Sequence, residues 1–185
     1  MTTTPATDIA RPAAGTWVID PGHSEVAFIA RHLGLARVRG RFADVSGTVQ
    51  IADDPAASAV DVTIGMASLD SGLAERDARL RSADFFDVEH HPTARFRSTA
   101  VDLDGTGGTL AGELTIRDVT RPVVLDVEHL GTVVDPWGND RAAFSATTTV
   151  TREDWGLTWN LVMEGGGLMV SKQARLEIEV ELVRR

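Results

Sequence analysis

Residues 84–92, DFFDVEHHP, concentrate the residue types that could do chemistry. His90, His91 and Glu89 offer the imidazole and carboxylate ligands that divalent metals accept from proteins. Adjacent histidines on an extended chain point in opposite directions, so only one of the two could join a given site. No HxH or HExxH spacing accompanies them. The segment therefore favours surface histidines in a connection between two elements, and a metal site is the alternative.

Two other segments bring reactive residue types together. Asp20, His23 and Ser24 have the composition of a catalytic triad, but neighbours on a strand point to opposite faces, so we do not expect nucleophilic catalysis there. Arg152 and Asp154 lie next to Trp155 in TREDWG, directly after a predicted strand. They form either a structural salt bridge at the end of the barrel or a polar collar for the head group of a ligand.

Composition excludes several classes of function. The 185 residues include no cysteine, which rules out disulfides and thiol chemistry, and we expect no bound cofactor. The net charge of −9 argues against nucleic acid as a partner. The start of the chain has neither a basic nor an apolar signal region, and no run of about 18 apolar residues follows. We therefore expect no transmembrane segment and a cytoplasmic location.

The elements that must position these residues are mostly strands. Apolar and polar residues alternate in about eight segments, for example Leu176, Ile178, Val180 and Leu182 between glutamates in the last one. Helical spacing occurs once, near residues 71–88. Residues 1–15 read as a flexible tail, and residues 16–185 as one domain.

Eight amphipathic strands with a single short helix predict an all-β fold, an eight-stranded antiparallel up-and-down barrel with a helical insertion. Closure buries the apolar face of the sheet against itself. The residues predicted to point inward include many small ones, which suggests room for a guest: Ala30, Gly47, Ala94, Ser98, Ala100, Gly112, Ala146 and Ala174. A filled structural barrel without a ligand remains the alternative, since barrels of this size do both.

Five stretches, taken in order, resemble the signature segments of YceI-like proteins: TWVIDPGHSEVAF, GRFADVSGTV, SLDSGLAERDARLRSADFFDVEHHPTARFRS, GELTIRDVTRPVVL and TREDWG. The resemblance runs from about Thr16 to the C-terminus. It implies a lipocalin-like barrel whose lumen holds a polyisoprenoid or a similar amphiphile, such as an isoprenoid quinone, and a possible homodimer. The sequence departs from the family pattern at Asp118, where glycine is common, and at Trp155, where phenylalanine is usual.

The resulting prediction is a soluble lipid-binding protein that is not an enzyme. A metal-assisted enzyme acting on a lipid-like substrate is the rival interpretation. The expected ligand-binding residues combine an apolar lining with two polar candidates for the head group, His23 and Arg152. The lining consists of Phe28, Ile64, Phe85, Phe86, Phe96, Leu114, Phe144 and Trp155.

Overall fold

The computed structural model describes residues 10–185, which form eleven strand segments, one α-helix and four short 3₁₀ turns. Residues 1–9 of the predicted tail lie outside this range. The helix, α1, spans Ala74–Arg81. The strands are β1 (Gly15–Ile19), β2 (Glu25–His32), β3 (Ala36–Phe42), β4 (Val45–Ile51), β5 (Ala59–Gly65), β6 (Leu69–Asp70), β7 (Thr93–Asp104), β8 (Gly107–Ile116), β9 (Val119–Val134), β10 (Asp140–Thr151) and β11 (Gln173–Arg184). Among these residues no helix is both long and apolar enough to cross a bilayer.

The strands close into an antiparallel barrel. Eight of them form the ring, in the order β1, β4, β5, β7, β8, β9, β10 and β11, and pairing of β1 with β11 closes it. The predicted eight-stranded barrel with one short helix is confirmed. Its order departs from a simple meander at one place, because β2 pairs with the first half of β11 while β1 pairs with the second half.

The alternation of apolar and polar residues in the sequence corresponds to the side chains that face the inside and the outside of the barrel. Leu176, Ile178, Val180 and Leu182 of β11 face the lumen. Glu177, in the same strand, accepts a hydrogen bond from Arg39 on the outside. One strand thus presents an apolar face inward and a charged face outward.

The small residues predicted to point inward do not all line the cavity. Ala30, Ala94, Ala146 and Ala174 line the cavity. Gly112 does not widen it, because a Cβ there would lie 2.4 Å from Cζ of Phe96, whose ring fills the space over the glycine.

Ala100 faces outward, contrary to the alternation. Thr99 is an extra residue between the pairs Ser98–Gly112 and Ala100–Ala111, which makes a β-bulge in β7. The bulge reverses the facing of the residues that follow, so Val101 and Leu103 point into the lumen instead.

The connection after β8 is a tight turn. Arg117 and Asp118 both have positive φ, 50° and 63°, and Ile116 pairs directly with Val119. This is the geometry of a two-residue hairpin turn, and Asp tolerates the left-handed conformation better than most residues. The Asp118 departure from the family pattern therefore leaves the turn intact.

Residues 10–14, directly before β1, lie against the barrel. Trp17 Nε1 donates to the carbonyl oxygen of Ala13 at 2.9 Å, and Thr132 Oγ1 donates to that of Ala10 at 3.1 Å. The guanidinium of Arg11 donates to the carbonyl oxygens of Ala52 and Asp53. Residues 10–14, here called the arm, are thus fixed across one end of the barrel.

Candidate functional site

The lumen contains a cavity of about 850 Å³, lined mainly by apolar side chains from the barrel strands and α1. This volume lies in the range of small-molecule binding sites in proteins, about 300–1,000 Å³. We call the end beneath α1 and residues 82–92 the helix end, and the opposite end, crossed by the arm, the arm end. The cavity answers the question left open by the sequence, because the barrel is not filled by its own side chains.

An aromatic cluster narrows the lumen between α1 and β2–β3. The rings of Phe28, Phe42 and Phe86 lie 5.7–6.2 Å apart between centroids, in tilted and edge-on arrangements. Such geometries are favourable for aromatic pairs. Phe28 is held over Gly40, where a Cβ would approach its ring to 2.3 Å. The missing side chain of Gly40 is what allows this ring to lie flat against the wall.

The segment after α1 places Phe85 and Phe86 at the helix end. The Phe85 amide donates to the Ser82 carbonyl and the Phe86 amide to the Leu80 carbonyl, both at 3.0 Å. Arg117 Nη1 donates to the Phe85 carbonyl at 2.9 Å from the β8–β9 turn. These hydrogen bonds fix the backbone, so both rings are directed into the lumen.

Phe85 packs against a layer formed by Trp159 and Arg79. Its ring centroid lies 5.4 Å from that of Trp159, and the guanidinium carbon of Arg79 lies 4.8 Å above the Trp159 ring. Arg79 is half exposed and also pairs with Asp84 at 3.2 Å. The helix end is therefore closed by rings on the inside and by charged groups outside them.

Arg152 lies inside the lumen at the helix end, with only 7% of its surface exposed. Nε donates to the Ser171 carbonyl at 2.9 Å and Nη1 to the Leu157 carbonyl. Its guanidinium carbon lies 5.8 Å from the Phe85 centroid, within the range of a cation–π contact. Burial lowers the pKa of this guanidinium from its ordinary value. The salt bridge with Asp154 considered from the sequence does not form, since Arg152 has no ion pair among the described residues, and Glu153 pairs with Lys172.

At the arm end the polar group is a buried histidine. His129 is 5% exposed, and its ring stacks on Phe144 with 4.8 Å between centroids. Burial lowers the pKa of His129, because the apolar surroundings disfavour the charged imidazolium. Sequence reasoning missed this residue, although the alternation through Val123, Leu125 and Val127 would have reached it in one more step.

The structure brings nine of the ten predicted site residues to one cavity. Trp155 is among them, and its indole Nε1 donates to the Leu114 carbonyl at 2.9 Å. The full set is Phe28, Ile64, Phe85, Phe86, Phe96, Leu114, Phe144, Arg152 and Trp155. Contact with a ligand stays a prediction for all of them.

His23 is placed differently from the expectation. It ends a 3₁₀ turn, Pro21–His23, that projects from the barrel wall, and its side chain is 64% exposed. Nδ1 lies 3.0 Å from Asp20 Oδ2. His23 is thus an outer-surface residue, and it is not positioned to hold the head group of a ligand in the lumen.

The two histidines of residues 84–92 contact two carboxylates: Asp87 lies beside both of them, and Asp118 lies beside His91. His90 Nδ1 lies 2.9 Å from Asp87 Oδ1, and His91 Nδ1 lies 3.3 Å from Asp118 Oδ2. The hydrogen bond with His90 lowers the pKa of Asp87, and the same contact raises the pKa of His90. These pairs stabilise the connection that carries Phe85 and Phe86.

Within residues 10–185, one group has the arrangement of possible metal ligands: Asp20, His23 and Glu181. Arg141 Nη1 already donates to Asp20 Oδ2 at 2.8 Å and to Glu181. The hydrogen bond from Arg141 is also the main cause that lowers the pKa of Asp20 to about 2. A guanidinium therefore neutralises these carboxylates where a cation would bind.

Fold and cavity together define a closed antiparallel barrel with an apolar, ligand-sized lumen. A sequence profile of the YceI-like domain matches residues 17–182. A UPF0312 protein of Pectobacterium atrosepticum is 41% identical over 164 residues, covering 88% of this chain and 82% of the relative. The chain belongs to the YceI-like family.

Two solved structures share the fold. BcnA of Burkholderia cenocepacia matches with a TM-score of 0.76 at 19% identity, over 88% of this chain and 98% of its own. A polyisoprenoid binding domain from Saccharophagus degradans, implicated in plant cell wall breakdown, matches with a TM-score of 0.67 at 16% identity, over 91% and 98%. At these identities the likeness establishes the barrel architecture.

Proposed function

We propose that the protein binds one long apolar-chain lipid, of the polyisoprenoid type or a similar amphiphile, inside the barrel. The observation that carries this proposal is the apolar cavity of about 850 Å³ that continues from Phe85 at the helix end to His129 at the arm end. Membership of the YceI-like family and the polyisoprenoid-binding function of the Saccharophagus domain support it.

Burial of the chain supplies the affinity. An extended lipid tail transfers several hundred Å² of apolar surface from water, at about 25 cal/mol per Å². Part of this is offset by the loss of translational and conformational freedom on binding. The aromatic cluster of Phe28, Phe42 and Phe86 contributes rigid contact area that loses little entropy.

The mechanism is sequestration rather than chemistry. The lumen encloses the chain within the closed ring of strands and shields it from water. His90 and His91 lie at the helix end, outside the set of residues that line the cavity. The metal-assisted enzyme considered from the sequence therefore lacks its proposed metal ligands at the lumen. A homodimer and a cytoplasmic location stay predictions.

Organic extraction of natively purified protein followed by mass spectrometry tests the proposal. We expect about one equivalent of a lipid whose chain carries isoprenoid or other long apolar repeats. Protein delipidated by unfolding and refolding should bind an added prenol, detected by tryptophan fluorescence, since Trp155 and Trp159 both line the cavity. An empty extract together with no binding by the refolded, delipidated protein would rule the proposal out.

A further inference from the structure

A group of exposed apolar side chains lies at the helix end of the barrel. They come from three segments: Leu33 and Leu35 in the β2–β3 turn, Leu73 directly before α1, and Leu161 and Val162 in the connection between β10 and β11. Leu35 is 79% exposed and Val162 is 74% exposed. We call these five residues the apolar rim. A large exposed apolar patch on a folded protein marks an interaction site.

Backbone hydrogen bonds hold two of these segments side by side. The Leu33 amide donates to the Met169 carbonyl at 2.8 Å, and the Met169 amide donates to the Leu161 carbonyl at 2.9 Å. A β-bridge between Val162 and Leu168 continues this pairing. The β2–β3 turn and the hairpin around Val162 are therefore adjacent, and their apolar side chains belong to one surface.

Leu33 occupies a backbone conformation that is unfavourable for leucine. Leu33 and Gly34 both have positive φ, 54° and 72°, and the Leu35 amide donates to the His32 carbonyl at 3.0 Å. Asparagine and glycine are favoured in turns of this kind, because a larger side chain is strained in the left-handed region. Both the turn and the solvent would favour a small or polar residue here. Such departures from local preference are expected where a surface serves an interaction.

The apolar rim is continuous with the lumen. Leu73 is half exposed and also lines the cavity, as does Met169. Trp159, two residues before Leu161, packs on Phe85 in the layer that closes this end. A closure made of packed rings is stabilised by the exclusion of water, so it is stable in solution and loses that stabilisation against acyl chains.

The charge beside the rim is positive, although the whole chain carries −9. Residues 26–43 contain four arginines and no carboxylate. Two of the four pair with carboxylates of neighbouring elements. Arg31 and Arg37 are exposed, and neither has an ion pair among the residues that the structure describes. The hairpin around Val162 adds one carboxylate, Glu164. This end of the barrel therefore complements an anionic surface.

We propose that the apolar rim docks the protein on membranes that contain anionic phospholipid. This inference rests on the proposed function, because a lipid that is insoluble in water is exchanged with a bilayer. Leu35 and Val162 enter the boundary between head groups and acyl chains, and Arg31 and Arg37 lie at the level of the lipid phosphates. A second copy of the chain fits this surface less well, because a symmetric contact would bring two sets of arginines together.

Flotation of the native protein with vesicles tests the inference. The probes are vesicles of phosphatidylcholine alone and vesicles of phosphatidylcholine mixed with phosphatidylglycerol. We expect at least about tenfold tighter binding to the anionic vesicles, since each arginine near an anionic surface strengthens binding about fivefold. Added salt should weaken the binding, because it screens the charges.

Two matched pairs of variants locate the surface. Val162→Asp should weaken binding to anionic vesicles at least about tenfold, because it replaces an apolar contact by a charge. Val133→Asp makes the same change at an exposed valine of the arm end and should bind as the wild type does. Arg37→Gln should weaken binding about fivefold. Arg185→Gln is its control, since Arg185 is exposed at the arm end, where its amide donates to the Thr16 carbonyl.

Prenol binding to each delipidated protein, followed by tryptophan fluorescence, separates this inference from the proposed function. Val162→Asp that binds prenol like the wild type but has lost vesicle binding would support docking through the rim. Wild type that binds prenol but does not prefer anionic vesicles would overturn the docking surface and leave the lipid-binding function standing. Wild type that binds no prenol would overturn both.

Two further outcomes count against the rim. Equal loss of vesicle binding in Val162→Asp and Val133→Asp would show a general effect of added negative charge and would overturn the assignment. Sedimentation measures the oligomeric state of the same proteins. A wild-type dimer that Val162→Asp converts to a monomer, without vesicle binding by either, would assign the rim to a second copy and overturn the membrane as its partner.

Discussion

His129 makes the stability of the folded protein depend on pH. Burial among Phe144 and the β9–β10 wall disfavours the imidazolium, so the pKa of His129 in the folded protein is below its ordinary value. The unfolded chain therefore takes up a proton more readily as the pH falls below about 6.5. Protonation thus favours unfolding, and the contribution of His129 to stability is present above that pH and declines below it.

His129→Phe should abolish this part of the pH dependence. We expect the free energy of unfolding of the wild type to fall relative to the variant between about pH 6.5 and 5, by no more than about 1.4 kcal/mol per pH unit for one proton. Urea unfolding at several pH values measures the difference. The comparison within one pair cancels the opposite trend of His90, whose pKa is raised. Parallel pH profiles would contradict the assignment.

At the scale of residues, the sequence also predicted which side chains face the interior of the barrel. Nine of the ten proposed site residues line one cavity because period-two alternation reports facing directly, and aromatic side chains within it indicate the core face. His23 was misplaced because a 3₁₀ turn interrupts the alternation at Pro21, and no local rule tells which way such a turn projects. The hydrogen bonds of Arg152 to the Ser171 and Leu157 carbonyls were not predictable, because only the assembled fold brings these groups together.

At the scale of elements, the two ends of the barrel are closed by different means. The helix end is covered by α1 and by the rings of Phe85 and Trp159, which pack against one another. The arm end is crossed by residues 10–14, which are held to the barrel by hydrogen bonds to Ala52, Asp53 and Thr132 and by the buried side chain of Pro12. A segment tied by a few exposed hydrogen bonds opens more easily than a packed aromatic layer.

Arg11→Ala should therefore speed the release of ligand. Loss of the two hydrogen bonds from its guanidinium, each contributing about 1 kcal/mol or less at the surface, is expected to raise the dissociation rate about fivefold or more. Transfer of a dansyl-labelled prenol from protein to acceptor vesicles measures this rate. Arg121→Ala is the control, since Arg121 is exposed on β9 and donates only to the adjacent Thr120 carbonyl. Equal rates for the two variants would show that the arm does not limit release.

The elements themselves were predictable where the pattern was regular. The alternation located the barrel strands, and the single helical segment near residues 71–88 contains α1. The bulge at Thr99 was not predictable, because an extra residue in one strand leaves the local composition unchanged and is fixed by the register of β8. The outward facing of Ala100 follows from it.

At the scale of the whole molecule, one enlarged side chain can block part of the lumen. Ala146 is 8% exposed, lines the cavity, and sits between Val127 and Ile178 on the neighbouring strands. It is a better probe than Phe96, whose ring supports Gly112 and whose replacement would damage the wall. Ala146→Phe adds apolar volume where the ligand chain is expected, without adding a polar group.

We expect Ala146→Phe to bind lipid at least about tenfold more weakly, a loss of about 1.4 kcal/mol in binding free energy. Its melting temperature should respond less to added ligand than that of the wild type, because ligand stabilises only the state that binds it. Extraction and thermal unfolding of both proteins measure these effects. Ala100→Phe, an outward position on β7, is the control and should behave as the wild type. Full lipid content in Ala146→Phe would place the ligand elsewhere.

The change of partners along β11 has a consequence for the barrel wall. Between Glu179, the last residue paired with β2, and Leu182, the first paired with β1, the strand leaves one neighbour and joins the next. The gap is bridged by Ser24, whose hydroxyl accepts from the Glu181 amide at 3.1 Å and donates to the Asp20 carbonyl at 2.7 Å. The Asp20 amide also donates to the Glu181 carbonyl at 2.8 Å, so a backbone hydrogen bond and the Ser24 hydroxyl together carry the wall across this step. The wall is thus hydrogen-bonded where the strand changes partners, which leaves the two ends of the barrel as the routes to the lumen.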